Sequence, residues 1–387
     1  MLGRCLKCLR SASSTIAVVY GKQLLEQASL AKVESTQSNL LTDPLQTLIH
    51  TVHPFTIAMC PGSHLVEYLP FLNYLPSAIS KWKQDAKTGF ENASEVFTYY
   101  YNTTVKANQM QPNLCVSLAE NEMASDFTEY EKAWSNFTFS KNLWVANFDS
   151  YSSAASLETT SITMLYFLYA MTLYPDVQQR AQEELDRVVG RSRNPNFDDM
   201  EHLPYLRALV KEILRWQPAT PLGVPHATLE DDWYEGYLIP KGTTILANIW
   251  SMNHDEDIYG PDVDQVKPER YLQQSKDGTG FALLPQYEND DGHSTFGFGR
   301  RQAFDRNILT EECLRRHVTN QGLFISMSTI LWALHIEALE NATAAVKTES
   351  HSINQDLLNT VPLYNYQFKA RFPEVEEILQ HHIDNKV

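Results

Sequence analysis

The chain has 387 residues, 43% of them apolar and 20% charged, which fills a substantial core and excludes a disordered or fibrous protein. Lys plus Arg number 31 against 47 Asp plus Glu, and a net charge of −16 argues against wrapping nucleic acid, so no nucleic-acid partner is expected. Five cysteines (Cys5, Cys8, Cys60, Cys115 and Cys313) are too few, and odd in number, for a disulfide framework, and they fit a reduced, cytosol-facing environment.

Residues 1–40 hold five basic side chains (Arg4, Lys7, Arg10, Lys22, Lys32) against Glu26 and Glu34. That composition reads either as a mitochondrial presequence or as an ordinary basic helix opening a domain. Arg4, Lys7 and Arg10 break the first apolar stretch, so no secretory signal is expected. Residues 159–175 and 318–336 carry no Asp, Glu, Lys or Arg, but polar residues such as Ser161, Thr163, Thr319 and Asn320 are scattered through them. Both are expected as helices of a large core rather than membrane spans, and no transmembrane anchor is expected in this sequence.

Pro175 and Asp176 open a helix that Gly190 closes, with Val177, Ala181, Leu185 and Val188 at helical spacing. A second helix is predicted from Pro204 to Trp216, ending before Pro218. From Trp233 to Trp250, Glu235-Gly236 and Pro240-Lys241-Gly242 are turn signals between short strands. Residues 261–299 are rich in Gly, Pro, Asp and Asn and read as a long ordered loop. The expected fold is mainly α with a small β portion, in one domain over residues 1–387.

Glu212 and Arg215 stand at i and i+3 on one helix face, where they can pair. Glu184/Arg187 and Glu312/Arg315 repeat the spacing and are expected as exposed surface pairs. The first copy differs in its company. Trp216-Gln217-Pro218, Val224-Pro225-His226, Gly236-Tyr237 with Ile239-Pro240-Lys241-Gly242-Thr243, Lys267-Pro268-Glu269-Arg270-Tyr271 and Phe296-Gly297-Phe298-Gly299-Arg300-Arg301 come after it in that order.

This ordered series resembles the cytochrome P450 family of haem-thiolate monooxygenases, in wording closest to fungal enzymes of secondary metabolism. The resemblance runs from about Asp43 to Leu379 and is strongest from Thr159 to Arg301. It implies a mainly helical triangular prism, haem, insertion of one oxygen atom from O2 into a small apolar substrate, and an NADPH-dependent reductase as electron donor. The family's anchor helix, first strands and Trp-x-x-x-Arg helix have no counterpart in the sequence, so the prism is expected to be incomplete at its N-terminus. The implied location is cytoplasmic or peripheral at the endoplasmic reticulum, with the mitochondrion left open by residues 1–40.

Oxygen activation needs a strongly donating axial ligand, supplied in this family by a cysteine thiolate two positions past the arginine of Phe-x-x-Gly-x-Arg. Phe296, Gly299 and Arg301 match, but Ala303 holds the ligand position. If residues 302–311 are skipped, Cys313 falls two places after Arg301, and the residues beyond it resemble the family's helix on the far side of the ligand. Cys313 is therefore the candidate iron ligand, behind ten extra residues. Leu314 and Arg315 stand where the family has Pro and Gly, and that glycine admits the backbone to the haem. Cys60-Pro61-Gly62 imitates the ligand motif but lacks its approach. The resemblance further implies a proton relay at Glu158 and Thr159, propionate contacts from Arg301 and His226, and a buried cluster of Glu212, Arg215 and Arg270. A non-catalytic remnant of the same fold, unable to hold haem, is the alternative reading.

Overall fold

The computed structural model describes residues 47, 51, 62, 64–107, 148–275, 280–288, 290–297, 316–338 and 366–384; for 148–158, 318 and 380–384 it describes the backbone alone. The basic segment 1–40, Cys5, Cys8, Cys60, Cys115, Arg301, residues 302–311, the Glu312/Arg315 pair, Cys313 and Leu314 lie outside the described residues, as does the Glu158 side chain. The chain divides into two compact units, Met1–Ser161 with Gln355–Leu357, and Ile162–Asn354 with Leu358–Val387.

In the first unit, α1 (Leu65–Tyr68) is followed by 3-10 turns at Pro70–Tyr74 and Ser77–Ile79 and by the long α2 (Lys81–Ala107). Ala93, Phe97, Tyr100, Tyr101 and Thr104 recur at helical spacing on α2 and are its buried stripe, while Lys87 and Glu91 pair in solvent. The helix α3 (Phe148–Leu173) begins in this unit and continues into the second.

In the second unit, α3 passes through Tyr174 into α4 (Pro175–Val188), with proline at N1 and Asp176 in the first turn. Gly190, at φ 73°, ends the run by donating its N–H to the Leu185 carbonyl at 3.1 Å. Val177, Ala181 and Leu185 face the core, and so do Gln178 and Gln182, which a polarity pattern assigns to solvent. Helix α5 (Pro204–Trp216) has the expected bounds and stops at Gln217, ahead of Pro218. Trp216 closes it within a ring of Tyr166, Tyr169 and Tyr174, each with its centroid 6.2–6.3 Å away.

Among the described residues, four short antiparallel ladders follow. Strands β1 (His226–Ala227) and β4 (Thr244–Ile245) pair, and β2 (Asp232–Tyr234) and β3 (Tyr237–Ile239) form a hairpin with Trp233 opposite Leu238. Its two-residue turn, Glu235 at φ 49° and Gly236 at φ 86°, is the left-handed pair whose twist matches that of the strands. Helices α6 (Ile249–Asn253) and α7 (Glu256–Tyr259) then cross towards α5. Residues 261–299 are not one long loop. They contain a 3-10 turn at Pro268–Tyr271, strands β5 (Leu272–Gln274) and β6 (Phe281–Leu283), and a 3-10 turn at Pro285–Tyr287.

The stretch 318–336, expected as one helix, is split. Helix α8 (Arg316–Ala333) ends inside it, and β7 (Leu334–Ala338) continues directly, paired with β8 (Tyr366–Ala370) ahead of α9 (Val375–Asp384). The break occurs where side chains take over the backbone. Gln182 donates to the carbonyls of Leu331 and Leu334 at 3.3 and 3.1 Å, and Arg371 donates to those of Leu331 and Trp332. Gln178 accepts the Ile336 N–H at 2.8 Å and donates to the Ile336 carbonyl at 3.0 Å. The last helical carbonyls and the first strand groups are satisfied without further helix.

Candidate functional site

Helix α5 presents Glu212 and Arg215, both 0% exposed, to the segment that carries Arg270. The pair is bidentate: Arg215 donates from Nε to Glu212 Oε2 at 2.7 Å and from Nη2 to Oε1 at 2.9 Å. Arg215 also donates to the carbonyls of Asn253, Val263 and Gln265 at 2.8, 2.9 and 3.2 Å. Glu212 Oε1 accepts from the Lys267 backbone N–H at 2.8 Å and from Arg270 Nε at 3.3 Å. Arg270 continues to Asp262 and to the Tyr259 carbonyl. Burial, the largest single influence, pulls Arg215 down, but the hydrogen bonds to Glu212, the Glu212 charge and the nearby Tyr271 and Tyr259 together hold the guanidinium above its ordinary value. The Lys267 bond, and after it Arg270, hold the Asp262 carboxyl down at about 2.

The same core suspends the segment 294–297. Asn253 Oδ1 accepts the Ser294 N–H at 2.8 Å, and its Nδ2 donates to Thr295 Oγ1 at 2.9 Å and to the Arg215 carbonyl at 3.3 Å. Thr295 Oγ1 in turn donates to the Leu214 carbonyl at 2.8 Å. Phe296 packs against the main core, and Gly297 turns at φ 80°, its N–H on the Ser294 carbonyl at 3.0 Å. Among the described residues, and apart from its chain neighbours, none has an atom within 4 Å of where a Gly297 side chain would begin, so on that side the backbone is open to close approach. Phe296 and Gly297 thus begin the Phe-x-x-Gly-x-Arg motif from a fixed base, tied to α5 through one buried asparagine.

The family model for cytochrome P450 matches residues 35–303. The chain belongs to the cytochrome P450 family. Among curated relatives, a cytochrome P450 monooxygenase of Armillaria gallica is 37% identical over 91% of this chain and 64% of its own. One from Postia placenta is 39% identical over 88% of this chain and 61% of its own, and one from Amanita muscaria is 34% identical over 83% and 62%. The chain spans about three-fifths of the length of these curated relatives.

As a P450, the chain is expected to use haem. What the described residues offer on the side of the ligand segment fits that group: a rigid approach at 294–297, an open backbone at Gly297, and a buried ion cluster beneath it. Glu212, Arg215 and Arg270 come together as expected. His226 is exposed on β1, opposite Ile245. Thr159 is half-buried on α3. Arg301 and Cys313 lie outside the described residues.

One expectation fails. Glu184 is not half of an exposed pair: its side chain is 4% exposed and lies 3.9 Å from an Arg187 that is 56% exposed. Its carboxylate faces the first turn of α5 and accepts the backbone N–H groups of Tyr205 and Leu206 at 3.0 and 3.1 Å. The N-cap of α5 is Leu203, whose side chain has no acceptor, so the cap comes from another helix. The i, i+3 spacing alone does not reveal the difference. Sequence reasoning also missed Asn253, whose three contacts lie 38 to 42 positions away and leave no local signal.

Proposed function

We propose that the chain is a haem-dependent monooxygenase that inserts one oxygen atom from O2 into a small apolar organic substrate, drawing electrons from an NADPH-dependent P450 reductase. The suspension of 294–297 from Asn253 and α5 supports this reading most strongly, because an oxygen-activating thiolate needs an approach that does not move. Haem, when bound, would supply the activation of O2, and a cysteine thiolate would favour it by donating electron density to the iron. Cys313 would hold the iron in this proposal. Arg301 and His226 donate charge-assisted hydrogen bonds to the propionates. Glu158 and Thr159 move protons along α3. Glu212, Arg215 and Arg270 keep α5 and the approach segment in register. The single-domain organisation over residues 1–387 belongs to the same proposal.

The test is reconstitution of the full chain with haem and P450 reductase. Substrate-dependent NADPH consumption is expected, with one labelled oxygen atom from O2 appearing in the product; consumption without labelled product contradicts the reading.

A second reading, a remnant without haem, is favoured by the ten residues 302–311 and by Leu314 and Arg315 at the family's Pro and Gly positions. A bulky Arg315 where the backbone must approach the haem opposes binding. Under this reading the chain binds haem weakly or not at all. Haem binding gained on deleting 302–311 with Leu314→Pro and Arg315→Gly makes those residues the obstacle, whereas a repaired chain still without haem identifies the remnant.

The proposed location is cytoplasmic or peripheral at the endoplasmic reticulum, with the mitochondrion as the alternative left open by residues 1–40. Among the described residues no helix is long and apolar enough to cross a membrane. Carbonate extraction is expected to release the chain; retention in the pellet, with aggregation excluded, contradicts that.

A further inference from the structure

A cleft of about 430 Å³ opens beside the Glu184 cap, within the range that holds small organic molecules. Its walls are the last turn of α4, the 3-10 turn Phe197–His202, the first turns of α5 and strand β6. The floor is apolar. Leu283 on β6 is buried and Val188 on α4 is half-buried. The Phe281 ring stands partly in solvent, tilted against Tyr205 with the centroids 6.0 Å apart.

The rim carries the charge. Glu201 and Glu288 stand among Arg187 and Arg207, so the fixed charges balance, and His202 lies beside them. Arg207 is committed, because its Nη2 donates to Glu288 Oε2 at 3.3 Å. Arg187 is not. Its guanidinium lies over Gly280, where a side chain would begin 3.7 Å from Nη2. The Glu184 carboxylate is 3.9 Å away, and both of its oxygens already accept the Tyr205 and Leu206 N–H groups. Those bonds also use up the first backbone donors of α5. Arg187 is therefore the charged donor that the cleft leaves for a ligand.

We propose that this cleft binds a small aromatic monocarboxylate, with Arg187 donating to the carboxylate and the ring lying against Phe281, Val188 and Leu283. The inference does not depend on haem. Charge decides the class of anion. A multiply charged phosphate would meet Glu201 and Glu288 with one uncommitted cation to offset them, whereas a single carboxylate needs no more than that one. An apolar body is required as well, because a guanidinium as exposed as Arg187 holds a bare anion weakly in water. A flat ring suits both the Phe281 face and the guanidinium plane.

The test is equilibrium dialysis of the full chain against naphthoate, with naphthamide as the neutral analogue and inorganic phosphate as the bare anion. Naphthoate is expected to bind at millimolar concentration, naphthamide about ten-fold more weakly, and phosphate not measurably. Arg187→Gln is expected to erase the preference for naphthoate over naphthamide, and Arg187→Lys to restore part of it. Ala282→Trp, which fills the cleft from β6 and leaves its charges in place, is expected to abolish binding of both aromatic probes. Melting curves check that each variant is folded, and the exposed Arg187 substitutions carry the test if Ala282→Trp does not fold. Four results overturn the proposal: no naphthoate binding to the parent, equal binding of the amide, binding of phosphate, or a naphthoate preference that survives Arg187→Gln.

Discussion

The carboxylate of Glu184 on α4 caps α5 from outside, accepting the N–H groups of Tyr205 and Leu206 at 3.0 and 3.1 Å. The helix that carries the Glu212–Arg215 pair is thus started by a residue from the preceding helix. Both groups have the spacing of a helical ion pair, yet one is a cap and the other a charge lock.

Replacing Glu184 by alanine leaves two buried donors without partners and is expected to destabilise by about 1–3 kcal/mol. Burial pushes the Glu184 carboxyl up to about 7, against the two backbone bonds and Arg187. The folded chain therefore holds a proton between pH 4.5 and 7 that the unfolded chain has lost. The contribution is largest below pH 4.5 and falls as pH rises through 7. Glu184→Gln keeps an acceptor and removes the titration. Chemical denaturation of parent and Gln variant across this range is expected to show the parent losing ground as pH rises; parallel curves contradict the assignment.

The buried cluster gives a sharper contrast. Arg215→Ala strands the Glu212 carboxylate in the core and is expected to cost about 3–5 kcal/mol. Arg187, half of a pair with the same spacing but 56% exposed, is expected to change stability by less than about 1 kcal/mol when replaced by alanine. Urea melts of the two variants decide this; an Arg215→Ala protein that melts like the parent refutes the lock.

The β2–β3 turn offers an improvement. Glu235 sits at φ 49°, a conformation that costs a side-chain residue and that glycine adopts freely. Its side chain is exposed. Glu235→Gly is expected to stabilise by about 0.5–1 kcal/mol. A lower melting temperature in the variant contradicts the strain.

The elements most legible in the sequence were those punctuated by residues with fixed backbone demands. Pro175 and Gly190 bounded α4, Pro204 and Pro218 bounded α5, and Glu235-Gly236 marked a hairpin turn. The illegible parts depended on partners far along the chain. The end of α8 at Ala333 is written in Gln178, Gln182 and Arg371 rather than in the apolar run 318–336. The β5–β6 pair was hidden because Leu272 and Leu283 meet across a Gly- and Asp-rich stretch that reads locally as loop. In the site, the ordered motifs identified Glu212, Arg215 and Arg270, whereas Asn253 acts through buried contacts that no neighbouring residue announces.

In the proposed enzyme Cys313, behind ten extra residues, supplies the axial thiolate of a P450 haem. The reduced carbon-monoxide difference spectrum of the haem-reconstituted chain, recorded beside that of Cys313→Ala, decides whether it does. A thiolate-type Soret band is expected in the parent, lost in Cys313→Ala and retained in Cys60→Ala. A parent without that band, or a band that survives Cys313→Ala, contradicts the assignment of the ligand.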